Sequence, residues 1–476
     1  MRLIKNNAIR MKIESIFNVL FLIYLFLGVS NPTYGTHLIS FVMYPTFILG
    51  GSLVIWRLVL SKRFIRTIGL PWLVLILLSY VFSSLMNFRY LNKNSIVIFI
   101  LWTFYFLLVF TKDPDRSSES IAREFHFISS FYLICVTALT LISAWMFLTG
   151  YSVSYRDPNN ANYEVASGFF AGRLWGAFQD PNLGAVMCDI AIVISVYFIW
   201  YIKKKALKVF LCIDIVIMLL YIALSDSRNG MVTLGCLSAF SLFFCSFRKL
   251  GKEIGSKIIF FFFLCIIASA VVFVCGFIAP KLIQTGYNAI IRTVYSEDDD
   301  IYNNVLVDRG YDLKEDVSNR RLDIWKSGIE IALSKPLTGV SFVGLTPYAK
   351  ENIPDSYIVS NDIWEFNTLD NDYLNLFAAQ GIPGVVLMLA LAITVIRRIF
   401  SGIWYAKKDD FPIIFNCTVI VCSLAVSAMF QGTMFYQQTP NTMMFWNLLG
   451  SAVYLLSLTD ENKSTNHIYK ITSDKI

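Results

Sequence analysis

Twelve runs of about twenty apolar residues divide this chain, and a run of that length has one stable use: a helix that satisfies its own backbone while crossing a hydrocarbon layer. They fall near 13–30, 38–56, 68–86, 95–111, 125–149, 182–202, 207–224, 229–247, 257–279, 382–399, 411–430 and 442–458. Charged residues are only 15% of the 476, against roughly 25% in soluble domains. The 40 Phe and 24 Tyr against 13 Pro exclude low-complexity disorder, collagen and a disulfide-stapled scaffold. The expected fold is an all-α polytopic membrane protein of about 12 transmembrane helices.

Lys and Arg set the orientation, because anionic lipid and the membrane potential hold them on the cytoplasmic side. Alternate connections are basic: Arg2 to Lys12, Arg57 to Arg66, Lys112 to Arg123, Lys203 to Lys208, Arg248 to Lys257, Arg397 to Lys408, and the tail after Lys463. The opposite short connections hold only Arg89, Lys93, Arg156, Arg173 and Arg228. Both termini are therefore expected to be cytoplasmic, with the first run retained as a span rather than cleaved as a signal peptide.

One outward connection, 280–372, is long and polar, with 9 basic and 16 acidic residues, so the net +7 of the whole chain conceals two opposite populations. A nucleic-acid partner does not follow from that charge. The expected organisation is spans 1–9 over residues 1–279, a large, mostly helical outer loop domain over 280–381, spans 10–12 over 382–458, and a cytoplasmic tail over 459–476. The Asp298-Asp299-Asp300 run reads as a solvated acidic face. All nine cysteines lie in apolar runs, so no zinc site or disulfide framework is readable. The cytoplasmic loops carry no P-loop or Rossmann glycine pattern.

Functional residues of such a protein stand out as polar groups that defy the positive-inside bias. Arg173 lies in Gly172-Arg-Leu-Trp-Gly-Ala-Phe-Gln-Asp-Pro-Asn182, where Asp180 can cap and Pro181 can open the sixth span. A helix N-terminus beside an arginine suits a phosphate; an interfacial anchor with Trp175 suits the residues equally well. Arg228 lies in Ser225-Asp-Ser-Arg-Asn-Gly230, a hairpin tight enough to make spans seven and eight antiparallel neighbours. Its guanidinium can hold a lipid diphosphate, or snorkel to a phospholipid or pair with Asp226.

Within the loop domain, residues 318–333 read as an amphipathic helix with Leu322, Trp325, Ile329 and Ala332 on one face. Arg321 borders that face and Arg320 points away from it, making Arg321 the better candidate, with an ion pair inside the domain as its alternative. Downstream, Asp370 can cap a short helix burying Leu374 and Phe377, ended by Gly381, with Pro383 opening the tenth span. Asp370 or Asp372 can serve as a base toward a sugar hydroxyl; both can instead only favour the positive end of that helix. Asp189 and Asp214, inside spans, suit either a structural pairing or support of a site.

The ordered set of Arg173-Leu-Trp-Gly-Ala-Phe-Gln-Asp-Pro-Asn182, Asp226-Ser-Arg-Asn-Gly230, Arg321-Leu-Asp-Ile-Trp325 with Lys335-Pro-Leu-Thr-Gly339, and Asn371-Asp-Tyr-Leu374 with Gly381-Ile-Pro-Gly384 resembles the O-antigen polymerase and O-antigen ligase superfamily over roughly residues 165–400. The resemblance implies a metal-independent glycosyltransferase without a cofactor, moving a glycan from undecaprenyl diphosphate to an acceptor hydroxyl on the outer side of the bacterial cytoplasmic membrane. By the same resemblance Arg173, Arg228 and Arg321 map onto diphosphate-binding arginines. Asp370 stands where the ligases carry a histidine before the asparagine, which favours a polymerase and makes Asp370 the first choice of base.

The catalytic set expected is therefore Arg173, Arg228, Arg321 and Asp370, with Asp180, Asn182, Arg320, Asn371 and Asp372 binding substrate beside them. The expected function is joining of undecaprenyl-diphosphate-linked repeat units into O-antigen, capsular or exopolysaccharide. A ligase handing polymer to a lipid A core is the first alternative, and a polysaccharide-unit flippase or transporter the second. Expected partners are the lipid-linked glycan donor and acceptor and membrane lipids, with a flippase and a chain-length regulator as further candidates.

Overall fold

A computed structural model describes residues 2–60, 67–157, 160–250, 258–295, 305–308, 318, 320–361 and 366–473. The Asp298-Asp299-Asp300 run lies outside the described residues. Helices α1 (Arg2–Val29), α2 (His37–Leu60), α3 (Leu70–Met86), α4 (Lys93–Phe104, continued by a π-helical turn to Phe110) and α5 (Ser118–Leu148) lead to a small sheet. After it come α6 (Pro181–Tyr201), α7 (Lys205–Leu224), α8 (Arg228–Leu250) and α9 (Ile258–Val294).

Among the described residues, ten helices are long and apolar enough to cross a membrane. Two more apolar helices, α3 and α14 (Phe411–Ser427), have 17 residues each, the lower limit of a span at about 1.5 Å per residue. Each of the twelve apolar runs thus has its helix, and the chain is an all-α polytopic membrane protein.

The connection after α5 departs from that pattern. It forms a three-stranded antiparallel sheet, β1 (Ser152–Asp157), β2 (Asn160–Phe170) and β3 (Arg173–Gly176), with Ser154 opposite Ala166 and Phe170 opposite Arg173. Alternation across Ser152-Val-Ser-Tyr155 is the sequence signal for it, too short to register beside runs of twenty apolar residues.

The loop domain is built on α10 (Arg321–Ser334), α11 (Leu345–Asn352) and α12 (Tyr357–Ser360), which share a core of Ile324, Ile331, Val340, Leu345 and Leu369. It is fastened to α13 (Asp372–Ile403), whose helix breaks at Gly381 (φ 67°, ψ −164°) before Pro383. The break has a structural cause: Ile382 N–H donates to the Pro336 carbonyl at 2.7 Å, while Val340 and Ser341 donate to the Ala378 and Ala379 carbonyls at 2.9 and 3.0 Å. A Cβ at Gly381 would lie 2.4 Å from the Pro336 oxygen. The Lys335-to-Gly339 and Gly381-to-Gly384 motifs are thus two halves of one backbone clasp. Asn87, after α3, reaches it by donating to the Gly339 carbonyl at 3.0 Å and accepting from Lys335 Nζ at 2.9 Å.

The opposite end of the bundle is held by buried charge. Glu124 at the start of α5 accepts from Lys112 at 2.7 Å, from Arg116, and from Asn447 of α15 (Pro440–Ser473) at 3.2 Å. Glu14 of α1 accepts from Arg57 of α2 at 2.9 Å. Asp189 is wholly buried in α6 with no hydrogen-bond partner among the described residues, and Asp214 in α7 accepts from Thr137 at 2.7 Å. One expectation is corrected here. The hairpin at Asp226 joins α7 and α8 only at their tips, because along their lengths each packs on α6 and on α9 rather than on the other.

Candidate functional site

At the loop-domain end of the bundle, three segments converge: β3 with the start of α6, the α7–α8 hairpin, and the start of α10. Asp180 is the N-cap of α6 and accepts from the N–H groups of Asn182 and Leu183 at 2.7 and 2.8 Å, with Pro181 as the first helical residue. Arg173, on β3, is buried. Its Nε donates to the Ser225 carbonyl at 2.8 Å and its guanidinium to Asn182 Oδ1 at 3.2 Å, an oxygen that also accepts from Ser227 at 3.1 Å. The arginine therefore fixes the hairpin backbone three residues from Arg228. Gly172, beside it, has φ +68°, and a Cβ there would meet the Asp308 carbonyl at 2.1 Å, so the chain returning from α9 lies directly over this turn.

Arg228 and Arg321 line one cavity of ≈520 Å³. Arg228 opens α8 and Arg321 opens α10, so each sits at a helix N-terminus, where unpaired N–H groups favour an anion. Apolar side chains complete the wall: Phe277 of α9, Leu322 and Trp325 of α10, and Phe430 after α14. The Arg321 guanidinium carbon lies 5.9 Å from the centre of the Phe430 ring, within cation–π range. Almost none of the apolar length of α9 is buried in the protein, so Phe277 brings the cavity to the lipid-facing perimeter.

The burial of α10 differs from the sequence expectation. Ile324, Ser327, Gly328, Ile331 and Ala332 face the core, whereas Leu322 and Ile329 are exposed. Two apolar stripes run along this helix. The one carrying Gly328 packs on Leu369, where a Cβ at Gly328 would meet Leu369 Cδ1 at 2.7 Å; the Leu322 and Trp325 stripe is left to line the cavity. Arg320, in left-handed backbone (φ 62°) just before the helix, is exposed and lies 3.9 Å from Asp323, outside the cavity wall.

The two carboxylates at the start of α13 have parted roles. The helix cap is Asn371, whose Oδ1 accepts from Tyr373 and Leu374 at 3.0 and 3.1 Å, and not Asp370. Asp370 takes a left-handed conformation (φ 49°) that turns its backbone out of the capping position. Asp372 is fully buried and accepts from three successive backbone N–H groups, Thr433, Met434 and Phe435, at 2.7, 2.6 and 3.3 Å. Its carboxylate is a staple for the chain between α14 and α15.

Asp370, half-buried, lines a second cavity of ≈540 Å³ together with Asp180, Gln179, Gln431 and Gln437. Burial pushes its carboxyl up to about 6; Arg321 pulls it down and Asp180 pushes it further up. One electrostatic field thus links Asp370 to both cavities. The two cavities adjoin at consecutive residues, Phe430 lining one and Gln431 the other, and Gln431 accepts from Asn229 at 3.3 Å. Sequence reasoning passed over Trp325 as a cavity residue and all of 431–439; the signal was three glutamines in one short connection between spans. No group of three His, Cys, Asp or Glu side chains among the described residues is placed to hold a metal ion.

Residues 213–389 match the family model described as O-antigen ligase. The matched segment, over a third of the chain, runs from α7 through Arg228, Arg321 and Asp370 into α13 and is similar to that family. Arg173, Asp180 and Asn182 precede it. No curated protein matches the chain.

Proposed function

We propose that this protein is a polysaccharide polymerase that joins undecaprenyl-diphosphate-linked repeat units on the extracytoplasmic side of a bacterial membrane. The observation that carries the reading is the meeting of Arg228 and Arg321, 93 positions apart, in one cavity beside the lipid-facing α9. Two guanidiniums at two helix N-termini form a fixed positive site for a diphosphate, able to stabilise the charge that grows on it as it leaves. Arg173 serves the same site through the hairpin backbone.

In the reaction the acceptor hydroxyl attacks the anomeric carbon of the donor sugar. The bond from that carbon to the diphosphate breaks, the diphosphate leaves into the arginine cavity, and the hydroxyl proton passes to Asp370. Asp370 is the base rather than Asp372, whose carboxylate is taken up by backbone N–H groups. The sidedness rests on the excess of Lys and Arg in the connections at the end opposite the cavities.

Purified protein in lipid nanodiscs, given the lipid-linked repeat unit extracted from its host, should yield a ladder of lipid-linked products by mass spectrometry. Absence of products longer than one unit overturns the reading. A deletion strain separates polymerase from ligase: loss of a polymerase leaves single-unit glycans on the final acceptor, whereas loss of a ligase leaves long chains on the lipid carrier.

A further inference from the structure

The cavity beside Asp370 has the opposite chemistry from the arginine cavity. No Lys, Arg or His lines it among the described residues. Four of the six glutamines of the chain do: Gln179, Gln431, Gln437 and Gln438. Hydroxyls of Tyr24 and Thr368 join them, and Asp180 and Asp370 supply carboxylates. Carboxylates without a cation repel phosphate, whereas an amide both donates and accepts, as does a sugar hydroxyl.

The wall is built rather than incidental. Tyr436 is buried, stacked on Phe342 at 4.2 Å with 3° between planes and 4.8 Å from Trp102, which anchors the segment that carries the glutamines. Gln437 lies over Gly432, where a Cβ would come within 2.3 Å of Gln437 Cγ. Gln438 Oε1 accepts from Tyr24 at 2.9 Å, tying the segment to α1.

From this placement we infer that the glutamine-lined cavity is the acceptor subsite, binding the terminal uncharged sugar of the incoming glycan through its hydroxyls and presenting one of them to Asp370. This rests on the transferase reading above and deepens it: the departing diphosphate and the attacking sugar are held in adjoining cavities, lined by the consecutive residues Phe430 and Gln431. Specificity for the acceptor sugar then lies in 431–439, outside the segment that matches the family.

The test uses full-length protein in nanodiscs, the lipid-linked unit as donor, and as acceptor probe the repeat-unit oligosaccharide released from its lipid diphosphate by mild acid. Gln437→Ala and Gln438→Ala should each raise the KM for the probe about fivefold to tenfold, the loss of a hydrogen bond or two, and weaken its saturation-transfer NMR signal, with the donor KM, measured at saturating probe, unchanged. Either variant alone decides the matter if the other fails to fold. An unchanged probe KM, or a donor KM that rises in step with it, overturns the acceptor assignment while leaving the polymerase reading intact. A wild-type protein that makes no polymer from the lipid-linked unit overturns both.

Discussion

Arg228, Arg321 and Asp370 differ in what surrounds them, and their substitutions should differ accordingly. On the proposed diphosphate role, Arg228→Ala and Arg321→Ala should each lower polymer formation about 10²- to 10³-fold, with protein abundance near normal because neither side chain fills a core. A wild-type ladder on gels in either strain would count against the diphosphate role. For Asp370 the expectation concerns pH. Burial has raised its carboxyl to about 6, and in the proposed reaction the ionised form is the base. Turnover should therefore fall as pH drops through about 6, tenfold per unit below it, and level off above about 7. Asp370→Asn should lose most activity and flatten that limb; an unaltered pH profile in the variant would remove Asp370 from the chemistry. Asp370 and Asp372 could not be told apart by type and spacing alone, since only the fold shows which carboxylate the 433–435 backbone captures.

Between elements, the clasp of 335–339 against the kink in α13 holds the loop domain, and with it Arg321, to the bundle. Gly381 combines φ 67° with ψ −164°, backbone open only to glycine, and has no room for a Cβ. Gly381→Ala should cost about 1–3 kcal/mol in strain alone and loosen α10. We expect a lower thermal midpoint, faster proteolysis in the loop domain, and loss of polymer together; full activity at an unchanged midpoint would deny the clasp its role. The glycine and proline of this motif were legible as a helix break. The partner backbone at Pro336 was not, because hydrogen bonds between residues 38 to 46 positions apart leave no periodic trace. The two faces of α10 illustrate the same limit: helical spacing shows two apolar stripes, and packing against Leu369 selects one.

Over the whole molecule, the loop-domain end carries two cavities, and the other end carries a buried ionic latch. Glu124 accepts from Lys112 and Arg116 and offsets part of their combined charge. Glu124→Ala should leave two buried cations uncompensated at a cost of about 3–5 kcal/mol, seen as a lowered melting point or aggregation on size exclusion. Stability equal to wild type would show the latch to be dispensable. What the linear order of residues determined was the twelve apolar helices, the alternation of basic connections, the long polar connection and the arginines out of place on its side, because a bilayer demands apolar length and imposes a charge bias that one chain records directly. What tertiary structure decided was which arginines meet, which carboxylate is left facing a cavity, and that glutamines after α14 line a second chamber. Those depend on distances across the bundle, set by side-chain volume and backbone pairing between segments far apart in the chain.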